Sequence, residues 1–218
     1  MCFSAPASFL AAGITGSIGV ACLATTCAPR DWALAVIPLL FAVQQVVEGL
    51  LWLTLPVAPH EAEGSLLTLV FLLYAKVFWP VYAPLTVLLI EPDARRRAVM
   101  RVILLGGVAI SLYLLRAIFA VDREAAILGG HIVYGTQLDL PVSVAVMYLL
   151  VTCAAPLLSS HPAVRLLGGI VIAGALISFI FYWQSFTSVW CFFAAVASAV
   201  IFLHFAHEAR LQARLHPE

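Results

Sequence analysis

Seven runs of about 20 mostly apolar residues follow one another through this chain with short gaps, and that length is what a helix needs to cross the hydrocarbon of a bilayer. The runs cover residues 8–27, 32–55, 66–90, 99–120, 141–158, 163–183 and 187–207. Inside lipid every backbone N–H and C=O needs an internal partner, so such runs must fold as helices. Composition agrees, with 64% hydrophobic residues, 10% charged residues and a mean hydropathy of +1.08, whereas a soluble domain is nearer half apolar and about a quarter charged. No stretch remains for a soluble domain. Residues 1–218 therefore read as one all-α domain, a polytopic bundle of seven transmembrane helices. The fifth run is the shortest, and the sixth and seventh are separated only by a patch around Gln184, Ser185 and Thr187, which reads as a tight hairpin.

The charges test this topology independently. Arg30, Arg95, Arg96, Arg97, Arg101, Arg165, Arg210 and Arg214 all fall on one face of the predicted bundle, and Arg116 and Arg123 on the other. By the positive-inside rule the first face is cytoplasmic. Seven spans then place the N-terminus outside and the C-terminus inside, in a multi-pass protein of the inner (plasma) membrane. The formal net charge of zero gives no argument for nucleic acid. The first run lacks a basic stretch before it, so it reads as a retained helix rather than a secretory signal. The residues before Cys22 loosely match a lipoprotein cleavage site, the less favoured reading. Gly13, Gly16, Ser17 and Gly19 would let a neighbour pack closely on this helix. Trp32, Trp52, Trp183 and Trp190 fall near the interfaces and read mostly as belt residues, while Trp79 falls near mid-membrane beside Pro80 and reads as packed inside the bundle or lining a cavity. Pro38, Pro80 and Pro84 lie inside runs and predict kinks.

Against this background Lys76, the only lysine, is the most conspicuous residue, because it lies within LTLVFLLYAKVFWPVYAPLTVLLI, which has no other charge. A cation at that depth needs a partner, water or deprotonation, and marks a functional site by default. From the rise per residue Glu48 falls about 10 Å and Lys76 about 15 Å below the outer surface. Gln44 and Gln45 lie on the same part of the second run as Glu48, giving FAVQQVVEGLLW a polar stripe. Two readings compete. In one, Glu48, Lys76, Gln44 and Gln45 form a satisfied knot that fixes helix packing; in the other they line a pocket open to the outside, with Trp79, Arg116, Tyr134 and Tyr182 as further binding residues. Intramembrane ion pairs usually mark function, which favours the pocket.

Sulfur and imidazole supply a second group. Cys2 becomes N-terminal if Met1 is removed, Cys191 falls near the outer surface, and His131 lies in an outer segment of residues 121–140, long enough to fold over the bundle as a lid. Two thiolates and an imidazole, with Glu48 or water, would suit zinc or copper. No CxxC or HExxH spacing accompanies them. A Cys2–Cys191 disulfide and a reactive thiol activated by Lys76 or Arg116 are the rival readings. Cys22, Cys27 and Cys153 read as small apolar packing residues.

The motifs MCFSAPASF, FAVQQVVEGLLW, VFWPVYAP and SVWCFFAA resemble those of an uncharacterised family of small bacterial membrane proteins, over most of the chain. The resemblance implies a shared pattern that includes Cys2, Ser4, Gln44, Gln45, Glu48, Trp79, Pro80, Trp190 and Cys191, and no mechanism. Comparison with rhodopsins fails, because the seventh run has no lysine. Three functions stay in play: a membrane-embedded metal-binding or thiol-dependent enzyme with Glu48, Lys76 and Cys2 as its working groups; a small-solute or proton transporter or channel; and a sensor or assembly protein that binds an apolar ligand. The odd number of spans and the absence of an internal repeat argue against a simple inverted-repeat transporter, and the inner half holds little polar beyond Thr86, Ser198 and His204. Oligomeric state is not encoded in any pattern found.

Overall fold

A computed structural model gives the fold and describes residues 4–26, 28–57, 62–120, 125–134, 141–181 and 186–215. Each apolar run contains a helix. The helices are α1 (Ala5–Thr25), α2 (Pro29–Thr54), α3 (Gly64–Ile90), α4 (Ala94–Ala120), α5 (Val142–Leu158), α6 (Pro162–Phe181), α7 (Phe186–Ala197) and α8 (Ala199–Leu215). Of these, α1, α2, α3, α4 and α6 are long and apolar enough to cross a membrane, and α5 is apolar but shorter. Leu10, Val102, Leu105, Leu112 and Ile180 are each more than half exposed. An apolar surface of this kind on a helical bundle fits contact with lipid rather than water. The seventh run differs from expectation: it is divided at Ser198, whose hydroxyl donates to the Ala195 carbonyl at 2.5 Å, separating α7 from α8.

Local chemistry sets the helix boundaries. The Ser4 hydroxyl accepts from Ala7 N–H at 3.4 Å and caps α1. A carboxylate oxygen of Asp93 accepts from Arg96 N–H at 2.8 Å near the start of α4. Pro38 follows a local break at Val36 in α2. In α3 the residues Leu73–Phe78 wind as a π-helix directly before Pro80. Proline has no N–H to give, and with π-spacing the carbonyl it would leave unserved is that of Ala75. The Tyr148 hydroxyl of α5 donates to that oxygen at 2.5 Å. Two residues on, the Ser111 hydroxyl of α4 donates to Val77 O at 2.7 Å. A side chain of α5 thus supplies the donor that Pro80 lacks, as an apolar surrounding demands.

The all-α expectation needs one correction. Ala125–Leu128 (β1) and His131–Tyr134 (β2) pair as an antiparallel hairpin in the register Ala125 with Tyr134 and Leu128 with His131. Gly129 and Gly130 form its turn at φ 58° and 77°, the left-handed region glycine enters without penalty. The hairpin covers one end of the bundle: Ile132 and Tyr134 are fully buried with Leu51, Phe71 and Ile118, and the Tyr134 ring stacks on Phe71 at 4.8 Å.

At the other end Glu91 ties the α3–α4 turn to the α5–α6 turn. Its carboxylate accepts from Ser160 Oγ at 2.5 Å and Ser160 N at 2.8 Å. His161 Nε2 lies 3.1 Å from Ile90 O. Burial raises the Glu91 pKa, but hydrogen bonds from Ser160, Asp93 and Ser159 outweigh it and hold the carboxyl below its ordinary value. Stabilisation of this sign is complete above the unfolded value of about 4.3 and is lost as pH falls through the folded one. Wild type should therefore lose more thermal stability than Glu91→Gln between pH 7 and pH values below about 4; equal losses in detergent melts would exclude the tether.

Close approach of α4 to α3 depends on Gly107, where an added β-carbon would overlap the Pro80 carbonyl oxygen. Gly107→Ala should cost about 1–3 kcal/mol by overpacking. Gly106→Ala meets only a Val151 methyl and should cost less in the same denaturation assay.

Candidate functional site

The buried face of α2 carries three polar residues with no exposed surface, Gln44, Gln45 and Glu48. Across the α2–α3 seam the Trp79 indole N–H donates to Gln44 Oε1 at 2.8 Å, and the Trp79 ring stacks on Phe41 at 4.2 Å. Gln45 Nε2 donates to Glu48 Oε2 over a longer 3.4 Å. Gln44 Nε2 finds no regular acceptor. It lies beside the Cys191 thiol, a weak acceptor, and Cys191 is also within electrostatic reach of Glu48. Lys76 sits on the π-turn with only 6% of its surface exposed. The structure therefore brings Gln44, Gln45, Glu48, Trp79 and Cys191 together in the bundle core, with Lys76 one turn from Trp79 on the same helix.

A partly open cavity of about 70 Å³ adjoins this cluster. Phe41, Trp79, Tyr148, Trp190 and Cys191 wall it at the cluster side, and Leu34, Pro156 and Val164 close the far side, toward the turns that hold Arg95, Arg96 and Arg165. The wall is almost wholly apolar. Its threonines are spent on their own helices: Thr86 donates to Ala83 O at 2.8 Å and Thr152 to Tyr148 O at 2.7 Å. The cavity found thus lies on the arginine-rich side of the polar cluster, whereas the sequence pointed to a pocket above it.

The remaining sequence candidates divide. Tyr134 is a packing residue of the hairpin. Arg116 is exposed on α4. His131 lies in β2, half-buried, with burial pushing its imidazole pKa down. Cys2 and Tyr182 fall outside the described residues. Among the described residues no three of His, Cys, Asp and Glu converge to hold a metal ion. Cys22 and Cys153 are buried as expected, and Cys153 also walls the cavity.

Two residues of the site escaped sequence reasoning. Tyr148 stands near both the Cys153 and Cys191 thiols, and its only sequence signal is a lone hydroxyl in an apolar run. Trp190 was expected in an interfacial belt. It is instead 4% exposed, donates to Val171 O at 3.1 Å and meets Tyr148 edge-on at 5.4 Å. Its adjacency to Cys191 was the available clue.

The Trp79–Gln44 bond is testable by a double-mutant cycle. Trp79→Phe should cost about 1–3 kcal/mol, because it strands a buried amide oxygen. Gln44→Leu in the same chain should recover part of that loss, and strictly additive costs would mean that the bond contributes nothing.

No curated protein and no solved structure matches the chain. A family model does, over residues 1–215. With helices of membrane-crossing length and a buried Gln44–Glu48–Trp79–Cys191 core, this chain belongs to the family of unknown function DUF6629.

Proposed function

We propose that this chain is a seven-span bacterial inner-membrane protein, N-terminus outside and C-terminus cytoplasmic, that binds a small apolar molecule or the apolar tail of a larger one within the bundle. One observation carries the reading: a cavity framed by Trp79, Trp190 and Tyr148 lies in the core directly against the buried polar cluster. At about 70 Å³ it is roughly half the size of the 150 Å³ engineered cavity that admits benzene. It suits a probe the size of xenon, or a chain end. Selection there works by shape and apolarity, because Glu48 and Lys76 are not among its walls.

Xenon quenching of tryptophan fluorescence tests this. Wild type should show saturable quenching from Trp79 and Trp190, and Ala83→Leu, which fills the cavity from α3, should abolish the saturable component. Quenching that is linear in xenon and unchanged by the substitution would refute the proposal.

A second reading has its own observation. Cys153 and Cys191 both wall the cavity beside Tyr148, and Glu48 lies within reach of Cys191. In that reading Cys191 is a thiol nucleophile or metal ligand, Glu48 a base or ligand, and Lys76 their electrostatic partner, with Cys2 and His131 completing a zinc or copper shell. Metal content and alkylation of wild type against Cys191→Ser separate it from simple ligand binding.

A further inference from the structure

The arginine-rich end carries a second concavity, about 480 Å³, between the start of α4 and the α5–α6 turn, lined by Arg95, Arg96, Arg165, Val99, Leu157 and Leu158. Two of its arginines are fixed in place. Arg96 Nη1 donates to Leu158 O at 2.6 Å. Arg165 Nη1 donates to Ser159 O at 2.9 Å and Ser160 O at 3.2 Å. Each guanidinium has five N–H donors in a rigid fork, so most remain for another acceptor. Among the described residues none of the three arginines is paired with a carboxylate. The nearby acids are otherwise engaged: Glu91 is buried in its bonds to Ser159 and Ser160, and Asp93 accepts from Arg96 N–H. Three arginines without an ion-pair partner among the described residues, two of them held by backbone carbonyls, suit an anion.

The rest of the lining says what kind. Val99, Leu157 and Leu158 are 48%, 39% and 44% exposed. They continue into apolar surface on the outer faces of α4 and α5, where Val102 and Leu150 are 68% and 54% exposed. A free phosphate has no use for such a floor; an acyl chain does. We propose that this groove is a binding site for an anionic phospholipid, its phosphodiester held by Arg95, Arg96 and Arg165 and one acyl chain lying along Val99, Leu157 and Leu158. Basic pockets between helix ends serve this purpose where a bilayer surface is anionic. The inference rests on the membrane reading of the chain and is independent of the apolar cavity.

Native mass spectrometry of the full chain in detergent tests it, with phosphatidylglycerol, phosphatidylcholine and inorganic phosphate as probes. Phosphatidylglycerol should bind wild type in preference to phosphatidylcholine, and inorganic phosphate should not compete. Arg95→Gln, which removes no hydrogen bond seen within the protein, should weaken phosphatidylglycerol about fivefold, and Arg95→Gln with Arg165→Gln about thirtyfold. Arg30→Gln with Arg101→Gln removes two arginines outside the groove and should leave binding unchanged. Equal affinity for the two lipids, competition by phosphate, or the same loss in the control pair would each overturn the site. A chain that does not float with phosphatidylcholine liposomes would instead fail the membrane reading itself.

Discussion

The fold turns on how the chain accommodates Pro80 without water. A proline in a membrane-depth helix leaves a carbonyl with no donor, and an unmet backbone group in hydrocarbon costs several kcal/mol. The π-turn at Leu73–Phe78 shifts that carbonyl to Ala75 and turns it toward α5, where the Tyr148 hydroxyl meets it. From α4 the Ser111 hydroxyl also donates to Val77 O on the same turn. Three helices are thus locked at one height by two side-chain hydroxyls. The wider winding of a π-turn also sets the bearing of the residues it carries or precedes. Lys76 lies within it, and Trp79 follows immediately. π-turns are rare and occur often at functional sites; here one buries the lysine and leads into the indole that meets the polar face of α2.

The same seam explains how polar side chains survive in the core. The Gln44 amide oxygen and the Trp79 indole N–H satisfy each other across two helices, while Gln44 Nε2 is left with the weakly accepting Cys191 thiol. The stacked Phe41 ring keeps the indole in place. Removing either partner exposes the other's polar atom to an apolar wall, and this coupling is why FAVQQVVEGLLW and VFWPVYAP behave as one unit rather than as two motifs.

Much of this was legible in the chain. The seven apolar runs became helices because lipid-length apolarity and backbone hydrogen bonding leave no other solution, and the arginines mark helix ends because their charges cannot enter hydrocarbon. The association of Gln44, Gln45 and Glu48 followed from helical spacing alone. The hairpin was expected only as a covering segment: AAIL and HIVY are four residues each, too short for alternation to register, and Gly129–Gly130 was the one turn signal. The π-turn has no signature in hydropathy, since it depends on a tyrosine 68 residues after the proline it serves. Trp190 was misplaced for a related reason. Its neighbours Thr187 and Ser188 resemble an interface, but Tyr148 and Phe186 enclose the ring.

The position of the cavity follows from these contacts. The α2–α3 seam is drawn tight at Gln44–Trp79 by a hydrogen bond, and α5 is drawn to α3 at Ala75–Tyr148 by another. Beyond these ties, toward the arginine-rich end, mostly apolar side chains line the gap, and Gly168 brings α6 against Pro156 at the far wall. Directional bonds fix helix spacing where they act, and dispersion contacts must then fill whatever volume that spacing leaves. The void lies between these ties and those of Tyr82 and Glu91 at the arginine-rich end. A guest there would contact Trp79, Tyr148 and Trp190, the same aromatic side chains whose N–H and O–H groups tie the helices together. Occupancy and helix spacing are therefore set by the same residues.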